Sequence, residues 1–114
     1  MSKVYVIQIP QRGGYKLDIS GASEFGALQE PCFLNQADIS QNPEEIMESL
    51  YDYFQDFRDG DFILQAGEHT LFSAACVVAS NYVEEELKVL KWDRDFKNGK
   101  RSGGYYSEVK FKLS

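Results

Sequence analysis

The sequence predicts an α/β domain with a mixed sheet, a short parallel core, two main helices and a C-terminal antiparallel hairpin. Three observations carry that prediction. Residues 3–9 form a β-branched, apolar run of the kind buried on both faces of a parallel sheet. Two helical patterns follow, separated by a short apolar strand at 62–66. Near the C-terminus, Val109, Phe111 and Leu113 alternate with Glu108, Lys110 and Lys112, the period-two pattern of a half-buried edge strand.

A chain of 114 residues suits one domain spanning 1–114, and no linker, repeat or low-complexity tract divides it. Eight Phe, seven Tyr and one Trp supply a large core for that length, so no metal or disulfide staple is expected.

Taken in order, Pro10 and the Gly13-Gly14 pair are expected to end the first strand. Residues 18–26 read as one helical turn, with Ser20 as its cap and Gly26 as the left-handed residue that closes it. A second strand is expected within 27–34, with Pro31 marking a sheet edge or a bulge. The first long helix opens on Asn42 as N-cap, Pro43 at the first helical position and Glu45 able to close a capping box. Ile46, Leu50, Tyr53, Phe54 and Phe57 recur at helical spacing, and the Asp59-Gly60-Asp61 turn is expected to stop the helix.

After the strand at 62–66, Gly67 turns the chain into a second helix over about 68–81. Small or apolar residues surround it, so few of its positions are expected to face water. A strand at 87–92, a loop over 95–104 and a final strand at 105–113 complete the chain. Strand–helix–strand–helix–strand in the middle implies right-handed crossovers and parallel pairing.

The formal net charge of −6 conceals a separation. Residues 1–86 hold four basic against fifteen acidic side chains, a balance of −11; residues 87–114 hold eight against three, a balance of +5. Glu44, Glu48, Asp52 and Asp56 recur every four residues along the first helix, and like charges at that spacing cost about 0.2–0.5 kcal/mol each. A stripe that lowers stability, continued by Asp59, suggests a docking face for a host or phage protein with a basic surface; an ordinary solvated helix face is the simpler account.

In the basic segment, Lys91, Arg94, Lys97, Lys100 and Arg101 are interleaved with Trp92, Phe96, Tyr105 and Tyr106, one arrangement that holds single-stranded nucleic acid. The acidic remainder of the chain would repel phosphate, so nucleic acid is not the expected partner. These cations could instead neutralise their own neighbours or meet the acidic region of another copy, forming a homo-oligomer.

No catalytic constellation emerges, and a non-enzymatic role is expected. The turn at Gly67, Glu68, His69 and Thr70 lies where open α/β sheets bind ligands, which makes it the alternative site for a nucleotide or other small molecule. It has one glycine where phosphate loops need several, and Glu68 would repel an anion. His69 has no second histidine or paired acid at a useful spacing. Cys32 and Cys76 lie in apolar runs and read as inert core thiols; with one histidine they cannot complete a zinc site, so neither metal nor cofactor is expected.

Met1-Ser2-Lys3 leads directly into a strand, and the longest mostly apolar run, 71–79, is too short to span a membrane; a cytosolic location is expected.

Across the whole chain the sequence resembles small accessory proteins encoded by tailed bacteriophages. The matching features are Val4-Tyr5-Val6-Ile7, Asp18-Ile19-Ser20 with Ala22, Phe25-Gly26, the acidic helix, and a strand ending in Gly67 before a small-residue helix. Leu90-Lys91-Trp92-Asp93-Arg94 is the most specific match. Two departures are Gly67-Glu68-His69, where that family tends to carry Gly-Asp-Pro, and a longer final hairpin loop. The resemblance implies a phage origin and the host cytoplasm, and it carries no reaction with it. The expected role is binding, and conceivably inhibiting, a host protein.

Overall fold

The computed structural model describes residues 2–12, 14–34, 42–97 and 100–113, with the side chains of residues 12, 15, 94–97 and 100–103 outside that description. The N-terminal apolar run becomes β1 (Lys3–Val6), and Ile7 and Gln8 continue it as buried chain. A small hairpin follows, β2 (Gln11–Arg12) and β3 (Tyr15–Lys16), turning near Gly14 at φ 84°. A 3-10 helix (Ser20–Glu24), β4 (Ala27–Leu28), α1 (Pro43–Tyr53), β5 (Phe62–Leu64), α2 (His69–Ser80), β6 (Glu86–Lys97) and β7 (Lys100–Lys112) complete the order.

The main sheet runs β4-β1-β5-β6-β7. β1 pairs in parallel with β4 and β5, and β5 with β6, while β7 adds an antiparallel edge to β6. This is the expected parallel core with an antiparallel C-terminal hairpin. The steps from β4 to β5 and from β5 to β6 advance in one direction, so right-handed crossovers put α1 and α2 on one face. The step from β1 to β4 goes the other way and carries the 3-10 helix to the opposite face.

Side-chain alternation in the strands feeds both faces. Tyr5, Ile63, Leu87 and Val89 meet Ile46, Leu50 and Phe54 from the α1 segment and Leu71, Ala75 and Val78 from α2. Val4, Val6, Phe62, Leu64 and Leu90 pack on Ala22 and its neighbours. Phe54 is fully buried, with its ring 5.3–5.5 Å from those of Tyr5, Tyr53 and Phe57. Each such aromatic pair contributes about 0.5–1.5 kcal/mol beyond its area.

Several local expectations change. Ser20 does not cap the 3-10 helix; Asp18 Oδ1 accepts from the Ser20 N–H at 2.9 Å instead. Gly26 is not left-handed: its lack of a side chain answers a close approach, since a Cβ there would lie 2.5 Å from the Ser2 carbonyl oxygen. Glu45 meets the Asn42 side-chain amide, so the reciprocal box to the backbone is not the bond observed.

Helix α1 ends at Tyr53, before the turn expected to stop it, and Phe57 is reached through a tight turn whose N–H donates to the Phe54 carbonyl at 2.8 Å. No basic side chain sits in its last turn, while Asp52 and Asp56 lie near the carbonyl end of the dipole, where negative charge disfavours another turn. Asp56 therefore leaves the helical stripe. On α2, Val77 is 60% exposed, so that helix shows more apolar surface to solvent than expected.

The segment read as a loop over 95–104 is largely strand. β6 extends to Lys97 and β7 begins at Lys100, with an irregularity between Asp95 and Phe96; Asn98 and Gly99 lie outside the described residues. Gly104 takes part because a Cβ there would press on Trp92, 2.4 Å from its ring, so the glycine is a packing requirement of the ribbon. Beyond Leu90, β6 has no β5 partner, and the two strands continue as a projecting ribbon.

Candidate protein-binding surface

Glu44, Glu48 and Asp52 share one exposed line of α1, as their four-residue spacing requires. They do not stand alone. Pro43, Met47, Tyr51 and Gln55 join them, and Tyr82 enters from the end of α2, to form a broad open groove of about 840 Å³. Tyr51 is 42% exposed between the carboxylates. Its side chain meets the end of α2: the Asn81 amide donates to its hydroxyl at 3.5 Å, and the Tyr82 ring lies 6.5 Å from its own, while the Tyr82 hydroxyl donates to the Tyr51 main-chain carbonyl at 3.3 Å. An anchored aromatic inside an anionic rim is a surface suited to a cationic, partly apolar partner.

Met47 and Tyr51 were missed in sequence, although they fall three residues after Glu44 and Glu48 and so share their face. Tyr82 gave no such signal, because only the packing of α2 beside α1 brings it there.

The other two expected members separate from the group. Asp56 is exposed in the turn after α1. Asp59 is structural: its carboxylate accepts from the backbone N–H groups of Glu84, Glu85 and Glu86 at 3.1, 3.2 and 3.5 Å. Those bonds, led by the one from Glu84, hold its carboxyl below the usual range. Asp61 likewise accepts from the backbone of Lys3 and Arg58.

Among the described residues, three lysines of the ribbon pair locally. Lys88 lies 4.0 Å from Glu86 and 3.8 Å from Glu108, Lys110 lies 3.9 Å from Glu108, and Lys91 lies 3.1 Å from Asp93. Asp93 also accepts from the Ser107 hydroxyl, the bond that does most to lower its carboxyl. Among the described residues no ion pair joins the ribbon to α1. Of the candidate nucleic-acid contacts, Lys91 is thus paired with Asp93, and the side chains of Arg94, Lys97, Lys100 and Arg101 lie outside the described residues.

The alternative ligand site is built differently from a phosphate cradle. The strand order reverses between β1 and β5, and their ends bring Gly67, at φ 95°, against buried Gln8. Glu68 caps α2: its two carboxylate oxygens accept from the N–H groups of Thr70 at 3.0 Å and Leu71 at 2.9 Å. The donors that an anion would use are therefore already engaged by a side chain of like charge. His69 and Thr70 are exposed at the first turn.

Burial pushes the Cys32 thiol up to about 12 and the Cys76 thiol up to about 11, so neither supplies a thiolate near neutral pH. Among the described residues no group of three or more His, Cys, Asp or Glu is placed to hold a metal ion, and no helix is long and apolar enough to cross a membrane.

No curated protein and no solved structure matches the chain. A family model described as phage Pam3 gp32-like protein matches residues 2–112. With the match covering nearly its whole length, the chain belongs to the Pam3 gp32-like family of phage proteins.

Proposed function

We propose that this phage protein acts in the host cytoplasm as a protein-binding module, docking a host or phage protein with a basic surface on the α1 groove. The observation that carries this reading is Tyr51, exposed yet in contact with Asn81 and Tyr82 at the end of α2, within a rim of Glu44, Glu48 and Asp52 that has no ion-pair partner among the described residues. Had the ribbon's lysines neutralised that rim, the surface would have little charge to offer. The partner's role, including inhibition, follows from what it is occupied with when docked.

The test is affinity capture from host and phage-infected lysates with the wild-type chain and with a Glu44→Gln/Glu48→Gln/Asp52→Asn variant, which keeps shape and removes charge. Wild type should retain a basic protein that added salt releases, and the variant should lose it. Equal capture by both chains would exclude the α1 rim. A parallel thermal-shift screen with nucleotides addresses the turn at Gly67 and Thr70; a specific ligand there would raise the melting temperature.

A further inference from the structure

The helical layer stops short of the sheet's last strand. On the face shared with α1 and α2, Val109, Phe111 and Leu113 of the β7 segment line an apolar groove of about 650 Å³ with Phe72, Cys76, Leu87 and Val89. Phe111 is 52% and Leu113 43% exposed. β7 is also the free edge of the sheet, thirteen residues long, and among the described residues no strand pairs with its outer side. A long edge strand with an apolar face is a template for pairing with another strand.

We propose that β7 is an isologous interface, pairing antiparallel with β7 of a second copy about a two-fold axis at Val109. The charge pattern selects this occupant and this register. With Val109 opposite its own copy, Glu108 faces Lys110 of the second chain, twice by symmetry, and Tyr106 faces Lys112. On the apolar face Tyr105 then faces Leu113 and Phe111 faces Ser107, with Val109 of the other copy diagonal to Phe111. Centring on Lys110 would oppose lysine to lysine, and centring on Glu108 would oppose glutamate to glutamate. Within the paired stretch Lys110 thus gains a carboxylate opposite it and Lys112 a tyrosine. The paired stretch ends at Tyr105 and leaves the outer part of the ribbon free.

Light scattering on the purified chain gives the mass, and an oxidised Val109→Cys variant reads the register. Opposed residues of an antiparallel pair lie about 4.5–5.5 Å apart at Cα, within disulfide reach. The expected results are a dimer, efficient cross-linking of Val109→Cys, and much weaker cross-linking of Lys110→Cys and of wild type. Lys110→Glu, exposed and so tolerant of change, should weaken the dimer by roughly tenfold or more, because both cross-chain pairs become like-charged. A wild-type chain that stays monomeric across the concentration range overturns the proposal. So does a dimer in which Lys110→Cys cross-links as well as Val109→Cys, or one that Lys110→Glu leaves as tight as wild type.

Discussion

Along α1, Glu44, Glu48 and Asp52 face solvent and make no ion pair among the described residues, whereas at the base of the β6–β7 ribbon Glu86, Asp93 and Glu108 are each met by a lysine. Both regions are charged; the described carboxylates of the ribbon are met by lysines, mostly two residues along the same strand, and those of the helix meet no cation among the described residues. Composition locates charge, but which acids and bases share one face of a strand decides how much of it stays available for a partner. Lys91 illustrates the point, since its 3.1 Å contact with Asp93 competes with any phosphate.

Three substitutions separate the two regions further. The largest effect is expected on the α1 side: Phe54→Ala removes a fully buried ring in contact with Tyr5, Tyr53 and Phe57 and should cost about 3–5 kcal/mol in denaturant unfolding. Partner capture should fall with it, because the groove-bearing helix loses its seat.

On the ribbon side, Gly104→Ala would place a Cβ 2.6 Å from the Asp93 carbonyl oxygen and closer still to the Trp92 ring. It should cost about 1–3 kcal/mol by overpacking, yet leave capture by the folded protein unchanged. Loss of capture without loss of fold would transfer the binding role to the ribbon.

The smallest effect concerns Asp59, which tests whether every acid near α1 serves the same end. Its carboxyl is held below its ordinary value, so its contribution to stability is complete above about pH 3.9 and is lost as pH falls through the depressed native value. Asp59→Ala should lower the melting temperature near neutral pH, the gap from wild type should close in acid, and capture should persist.

Much of this architecture was legible because its signals are local. Pro43 and Gly67 mark the start of each helix in the sequence, and the period-two pattern of Val109, Phe111 and Leu113 marks the edge strand. The misreadings arose where tertiary packing overrules a local pattern. Phe57 continues the helical spacing of the α1 face, yet reaches the core after the helix has ended. Gly103-Gly104 looks like a loop, yet Gly104 lies in strand because the Trp92 ring needs the space. The two-residue strands β2 and β3 are too short to leave a periodic trace. In the candidate surface, the carboxylates were visible by spacing, while Tyr82 arrives only through the packing of the two helices.

The most direct measurement is an amide chemical-shift map of the labelled protein titrated with its captured partner. The account predicts perturbations concentrated at Glu44, Met47, Glu48, Tyr51, Asp52 and Tyr82, weakening as salt is added. Perturbations confined to β6 and β7, with α1 silent, would contradict it.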